Sequence, residues 1–190
     1  MDQALTVMST PLDHRRQLQL QPVGVESPAA SATARPGEYL SFQVGDEEYA
    51  LSILQVQEIR RFEPPTRIAG APPSVKGVVN LRGVIVPIVD LRLLLAREEP
   101  RYDALTVVIV LNVRGRVVGV VVDAVSDVLA LSEAEIRPAP SLQSGAVHFI
   151  NGIATVASLE ACQRVLILTD TEKLLDDPSI GVLKGPNALH

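Results

Sequence analysis

Several short aliphatic segments of this chain are apolar on both faces, which restricts the folds that it can adopt. Residues 106–111 and 117–122 carry apolar side chains at nearly every position, and Gly, Pro or Asp residues bound such runs along the chain. Runs of this length predict strands of a many-stranded sheet. A small barrel buries only its inner face. Another part of the protein therefore has to pack against the apolar outer face of these strands. We therefore predict an all-β fold in which two five-stranded β-barrels pack on a shared hydrophobic core, with a few short helices.

The first part of the chain differs in composition from the rest. Residues 1–36 contain repeated prolines and a stretch rich in Ser, Ala and Thr, without a sustained period of two or 3.6 residues. Such a segment predicts a flexible N-terminal tail. We expect a folded domain over residues 37–175, with approximate subdomains 37–98 and 99–175, and a C-terminal tail over 176–190.

Two hairpins are predicted in the first half of the domain. Apolar and polar residues alternate over 40–51 around a Gly-Asp turn, which indicates the first hairpin. The second has arms over 78–81 and 84–89, with Arg82 at its tip. Asp90 follows directly and predicts the N-cap of a short helix.

A helix is predicted between these hairpins. Ile53, Val56 and Ile59 recur at every third position, and Ser52 with Gln55 resembles a capping box. The remaining predicted elements are strands over 67–69, 127–131, 150–157 and 164–169, and a final helix capped by Thr169 that extends through Leu175.

Charge and cysteine content exclude several classes of partner. The net charge of -5 disfavours phosphate backbones, so we expect no nucleic-acid partner. The single cysteine, Cys162, permits no internal disulfide and favours a reducing, cytoplasmic location. Because no apolar run approaches the ~20 residues that cross a bilayer, we expect no direct membrane insertion.

The titratable residues indicate no catalytic or metal chemistry. The histidines are dispersed along the chain, which predicts no metal site, no cofactor and no catalytic triad: they are His14, His148 and His190. Three aspartates at predicted strand ends lack the glycine turn of an acid protease, so helix-capping and turn roles are favoured for Asp90, Asp123 and Asp127. A small acid hydrolase on a β-barrel is the competing, disfavoured function.

One polar pair stands out on an otherwise apolar surface. Glu58 lies on the first predicted helix and Arg82 at the hairpin tip. The two side chains either pair with each other, which contributes less than ~1 kcal/mol at a surface, or are offered to a partner. These residues by themselves indicate a β-barrel binding module.

The segment over 76–92, KGVVNLRGVIVPIVDLR, resembles the signature of CheW-type chemotaxis coupling proteins. The resemblance covers residues 38–175 and includes GDEEYAL (45–51), VQEIR (56–60), TVVIVLNV (106–113), VVGVVVDAVSDVLAL (117–131), IRPAP (136–140), RVLIL (164–168) and EKLL (172–175). It implies barrels of the SH3-like type, with the first and last strands exchanged between them.

The same resemblance implies a non-enzymatic adaptor that links transmembrane chemoreceptors, the methyl-accepting chemotaxis proteins, to the histidine kinase CheA. The cytoplasmic hairpin tip of the receptor is expected to contact Val56, Glu58, Gly77, Arg82 and Val128. The regulatory domain of CheA is expected to bind near Thr66, and a second contact, which closes kinase-adaptor rings, involves Arg137 and Leu142. The adaptor is then cytoplasmic and is recruited to membrane receptor arrays through its partners.

Two features depart from the family pattern on the kinase side. Leu142 stands where related proteins often have an aromatic residue, and the turn over 158–163 is longer than usual. The sequence does not identify the receptor or the stimulus. An adaptor of a related chemosensory system, such as one controlling surface motility or development, is therefore the alternative that stays open.

Overall fold

The computed structural model describes residues 34–95, 101–139, 148–157, 163–176 and 180. These residues form mostly strands, in two sheets, with few and short helices, which confirms the predicted all-β class. The strands are β1 Gly37–Val44, β2 Glu47–Ser52, β3 Val56–Arg61, β4 Val75–Leu81, β5 Val84–Asp90, β6 Val107–Val113, β7 Arg116–Val122, β8 Ala124–Leu131, β9 Ile136–Arg137, β10 Ile150–Ala157 and β11 Gln163–Thr169. The helices are α1 Leu91–Leu94 and α2 Thr171–Leu175, and Ile53–Gln55 form a 3₁₀ turn.

The two sheets are interleaved along the sequence. The six-stranded sheet has the order β8-β1-β2-β11-β10-β9, and the five-stranded sheet has the order β3-β6-β7-β5-β4. The neighbouring strands are antiparallel except for the parallel pairs β2–β11 and β5–β7. The approximate subdomain boundary near residue 98 stays a prediction, and β6 and β7, which follow it, pair with β3 and β5, which precede it. The chain leaves the six-stranded sheet after β2 and returns to it at β8.

Two buried clusters explain why β6 is apolar on both of its faces. Ile109 and Leu111 lie in the largest cluster, which also takes residues from β1, β2, β7 and α2 and so joins the two sheets. Val108 and Val110 point to the other face, into a cluster drawn from the five-stranded sheet. A third cluster is drawn from the six-stranded sheet. The shared core predicted from the two-faced strands is thus present, with a smaller core on the far side of each sheet.

The helix predicted from the spacing of Ile53, Val56 and Ile59 is wrong. A 3₁₀ turn occupies the first of these positions, and β3 begins at Val56. Ser52 makes no side-chain capping bond to this turn. The period of three arises because a short 3₁₀ turn precedes a strand with a bulge between Val56 and Glu58, and the bulge shifts the alternation of the strand.

Three smaller predictions can be compared with the structure. Asp90 caps α1 as expected, and its Oδ1 accepts from the backbone N–H groups of Arg92 (3.0 Å) and Leu93 (3.3 Å). The cap of α2 is Asp170 rather than Thr169, whose hydroxyl instead donates to a backbone carbonyl of β2. No strand forms over 67–69, since only an isolated bridge at the preceding residue pairs with β4.

Residues of both predicted tails pack against the folded domain. Ala34 is buried in the core of the six-stranded sheet, and its N–H donates to the carbonyl of Asn151 (3.3 Å). The carbonyl of Arg35 accepts from the hydroxyl of Tyr39 (2.7 Å). At the other end, Ile180 is buried in the shared core.

Candidate functional site

The β4–β5 hairpin tip presents an arginine in a strained turn. Arg82 has a φ of 53°, and Gly83, at 90°, follows it, so both turn residues have the positive φ that a tight two-residue hairpin requires. The side-chain Oδ1 of Asn80 accepts from the Gly83 N–H at 2.7 Å and fixes the turn. The guanidinium is therefore held outward, and 83% of the Arg82 side chain is exposed.

Arg82 and Glu58 form an ion pair, with 3.0 Å between Nη2 and Oε2. Glu58 lies on β3 rather than on the predicted helix, and its cross-strand partner is Val110. Cross-strand partners share a face of a sheet. Glu58 therefore lies on the same face as Val110, where the smaller buried cluster of the five-stranded sheet is located. Since β3 and β4 are the two edge strands of this sheet, the ion pair bridges its edges.

Apolar side chains flank the ion pair. Val84 and Ile85 follow the turn and are 54% and 61% exposed. Val56 begins β3 and packs partly against the shared core. Val128 is 49% exposed but lies on β8, at an edge of the other sheet. The structure thus brings Glu58 and Arg82 into contact and places Val128 on a separate sheet.

Gly77 has a structural role that the sequence did not reveal. It is buried on β4 with a φ of 143°, and a Cβ at this position would lie 2.1 Å from the carbonyl oxygen of Thr66. Thr66 and Val78 exchange two backbone hydrogen bonds, of 2.9 and 2.8 Å. Only glycine permits so close an approach of the two backbones. Gly77 therefore supports the segment that carries Thr66.

Thr66 is exposed and lines a cleft of about 250 Å³. Pro64 and Pro65 line this cleft, and so do Val108 and Val110 from the smaller buried cluster of the five-stranded sheet. The cleft also carries the charged side chains Arg60, Arg61 and Glu63. This surface combines apolar and charged groups, as protein-binding surfaces do.

The remaining kinase-side residues lie elsewhere. Arg137 is exposed on β9, at the edge of the six-stranded sheet, and its Nη1 donates to the carbonyl of Ala134 (2.8 Å). Leu142, Cys162, His14 and His190 fall outside the described residues, as does most of the turn over 158–163. Arg137 thus belongs to the six-stranded sheet, whereas Thr66 pairs with β4 of the five-stranded sheet.

The three aspartates considered for catalysis hold backbone and side-chain partners. Asp90 caps α1 and accepts from the hydroxyl of Tyr102 at 2.6 Å. Asp123 pairs with Arg92 and accepts from the Gly45 N–H at 2.6 Å. Asp127 accepts from the adjacent N–H of the chain. Across the described ranges, His, Cys, Asp and Glu residues form no group of three that could hold a metal ion.

Sequence reasoning did not identify Tyr102 or Lys76 as notable. The Tyr102 ring stacks on Phe62 with 4.4 Å between the ring centroids, and the ammonium of Lys76 lies 5.4 Å from the Tyr102 centroid. Burial and the hydrogen bond to Asp90 raise the pKa of Tyr102 well above its usual value. The one sequence feature that could have indicated Tyr102 is that it is an aromatic residue within an otherwise polar segment.

Residues 38–179 match the family described as the CheW-like domain. The chain belongs to the CheW-like family. A chemotaxis protein CheW of Klebsiella aerogenes is 50% identical over 154 residues, which cover 80% of this chain and 90% of that protein. The chemotaxis protein CheW of Bacillus subtilis is 34% identical over 150 residues, covering 78% of this chain and 94% of that protein.

A solved structure agrees with this assignment to the CheW-like family. The crystal structure of the scaffolding protein TtCheW from Thermoanaerobacter tengcongensis is similar with a TM-score of 0.68 at 26% identity. The matched region covers 76% of this chain and 95% of the TtCheW chain. The resemblance noted in the sequence is thereby confirmed, and the chain is a member of a family of chemotaxis coupling and scaffold proteins. None of the helices in the described ranges is long and apolar enough to span a bilayer.

Proposed function

We propose that this protein is a non-enzymatic adaptor that couples transmembrane chemoreceptors to the histidine kinase CheA and controls kinase activity within receptor arrays. The observation that carries the proposal is that β4 links two exposed surfaces. Arg82 follows the last residue of β4, and Thr66 pairs with Val78 near its middle. An adaptor holds two partners at separate surfaces, and β4 connects the hairpin tip to the segment that carries Thr66.

On the receptor side, the hairpin tip offers charge beside apolar area. The Arg82–Glu58 pair lies beside Val84 and Ile85, which expose more than half of their surface. The helical hairpin tip of a chemoreceptor is the proposed occupant, with Val56 and Val128 as further contacts. Arginine and exposed aliphatic residues together suit a protein interface in which the charges set orientation.

On the kinase side, the proposed contact is the exposed segment around Thr66 and the cleft that it lines. The regulatory domain of CheA is the proposed partner there, with Arg137 and Leu142 in a second contact that closes rings of kinase and adaptor. The support is that Thr66 is exposed while its backbone is anchored on β4 through two hydrogen bonds. An anchored, exposed segment can bind a partner without first being ordered.

In the proposed mechanism, a movement within the adaptor shifts the equilibrium between two states of the kinase. A receptor movement at the hairpin tip displaces β4, and β4 carries the displacement to Thr66 through the Val78 bridge and the Gly77 contact. A partner can shift such an equilibrium only by binding one arrangement more tightly than the other. The adaptor then acts in the cytoplasm, and its partners recruit it to the membrane array.

A reconstituted kinase assay tests this proposal. CheA autophosphorylation is measured with membranes that contain a chemoreceptor, with and without the full-length protein. We expect the protein to make kinase activity sensitive to receptor and attractant, while it has no effect on CheA when the receptor is omitted. Kinase activity that, in the presence of the receptor, is the same with and without the protein would contradict the proposed coupling.

A further inference from the structure

A second cleft, of about 490 Å³, lies apart from the hairpin tip. Its lining includes Arg67, Ile68, Pro72, Lys76, Leu93 and Tyr102. Ile68 and Tyr102 each expose 39% of their surface, so the cleft has an apolar floor that solvent reaches. We call it the Tyr102 groove. Its volume falls within the range of binding clefts rather than that of packing defects.

Two cationic side chains line the Tyr102 groove. Arg67 is exposed and Lys76 half-buried, and within the described part of the chain neither forms an ion pair with a carboxylate. Among the other described arginines, five do form such pairs: Arg82, Arg92, Arg114, Arg116 and Arg164. The chain as a whole has a net charge of -5, so this local excess of cations runs against the overall charge.

The floor of the groove is rigid. Phe62 stacks on the Tyr102 ring at 4.4 Å, and the Tyr102 hydroxyl donates to Asp90, which is 1% exposed, at 2.6 Å. Lys76 is held over the same ring by a cation–π contact. Pro72 and Pro73 form a wall with restricted backbone freedom. A ligand therefore meets groups that are already positioned, and binding costs little ordering entropy.

We propose that the Tyr102 groove binds an extended acidic segment of a partner protein. The carboxylates of such a segment pair with Arg67 and Lys76, and an aliphatic side chain between them packs on Ile68 and Tyr102. Clusters of cationic side chains around an apolar floor recognise acidic motifs in this way. The surface is distinct from the hairpin tip and from the cleft beside Thr66, so it adds a third contact to the proposed adaptor.

A peptide-binding measurement on the full chain tests the proposal. The probe is a fluorescein-labelled peptide of glutamates around one central leucine, and the matched probe replaces each glutamate by glutamine. Fluorescence anisotropy at 50 mM NaCl should show at least ~10-fold tighter binding of the glutamate peptide, with a loss of affinity as salt is raised. Arg67→Gln and Lys76→Gln should each weaken binding by about threefold.

Arg61→Gln is the matched control, because Arg61 is an exposed cation that lines the other cleft. Its affinity for the glutamate peptide should stay unchanged. Equal weakening by all three variants, or no binding of the glutamate peptide, would overturn the proposal, since the attraction would then be diffuse or absent. Complete displacement of the peptide by 1 mM glutarate would overturn it in favour of a site for small anions.

Discussion

Arg82 and Glu58 are in contact, with 3.0 Å between Nη2 and Oε2, although they extend from opposite edges of the five-stranded sheet. The exposed fractions of the two side chains are 83% and 25%. A pair exposed to this degree contributes less than about 1 kcal/mol to stability. Its position at a hairpin tip beside exposed aliphatic residues therefore points to a role in binding.

Reversal of the Arg82 charge should weaken receptor binding without unfolding the protein. Arg82→Glu removes the guanidinium and places two carboxylates close together, so we expect affinity for a chemoreceptor tip to fall by at least ~10-fold. Isothermal titration with a receptor-tip fragment measures the affinity, and circular dichroism measures the fold.

Arg114→Glu is a matched control for this substitution. Arg114 also has a φ of 53° in an Arg-Gly hairpin turn, and it also pairs with a glutamate, Glu172. We expect it to change receptor affinity by less than about twofold. If Arg82→Glu and Arg114→Glu bound the receptor tip equally well, Arg82 would have no place in the interface.

Substitution of Gly77 should disturb the kinase side as well as stability. In Gly77→Ala, the new Cβ cannot occupy a site 2.1 Å from the Thr66 carbonyl oxygen, so Thr66 has to move. We expect a loss of more than ~2 kcal/mol in the free energy of unfolding, and weaker binding of the CheA regulatory domain. Urea denaturation and titration with that domain measure the two effects.

Gly83→Ala is the control for Gly77→Ala, because it introduces backbone strain without a steric clash of the new Cβ. Gly83 also has a positive φ, of 90°, but a Cβ there meets nothing within 4 Å. We expect about 1 kcal/mol of destabilisation and unchanged kinase-domain affinity. Equal effects of the two substitutions on kinase binding would show that Gly77 does not position Thr66.

A charged side chain at Thr66 should remove most of the affinity for the kinase domain. Binding energy in protein interfaces is concentrated in few central residues, so Thr66→Arg should weaken binding of the isolated CheA regulatory domain by at least ~10-fold while receptor-tip binding is retained. Asp46→Arg, at an exposed turn of the other sheet, adds the same side chain as a control. Unaltered kinase binding by Thr66→Arg would move the proposed contact towards Arg137 and Leu142.

Residues 34–36 should contribute to stability, although their composition resembles that of the tail. A chain that begins at residue 37 loses the hydrogen bond from Ala34 to Asn151 and leaves the hydroxyl of Tyr39 without the Arg35 carbonyl. We expect about 1–3 kcal/mol of destabilisation in urea denaturation relative to a chain that begins at residue 34. A chain that begins at residue 34 should match the full-length protein, and identical stability of all three would show that Ala34 is not part of the core.

Local patterns predicted the elements that depend on local chemistry. The β4–β5 hairpin follows from an Arg-Gly turn between apolar arms, and α1 follows from Asp90 as a cap. The two-faced apolar character of β6 also predicted the shared core, because each face of that strand has its own buried cluster. These features need only the residues within one or two elements.

Features that depend on tertiary structure were missed. A 3₁₀ turn and a bulge together imitate helical spacing around Val56, so periodicity alone predicted the wrong element. The parallel pairs β2–β11 and β5–β7 join segments that are distant in sequence. The close approach of Gly77 to Thr66 also arises only in the folded chain. The sequence predicted that Glu58 and Arg82 either pair or are offered to a partner. They meet because the edges of the sheet converge, and this is not a local feature.

In the proposed adaptor, one molecule of this protein holds a receptor and a kinase at the same time through separate surfaces. Sedimentation velocity of the full-length protein with a chemoreceptor tip and the CheA regulatory domain tests this arrangement. We predict a ternary complex that Arg82→Glu reduces to a protein–kinase complex and Thr66→Arg reduces to a protein–receptor complex. Mutual displacement of the receptor tip and the kinase domain, so that only binary complexes sediment, would contradict the account.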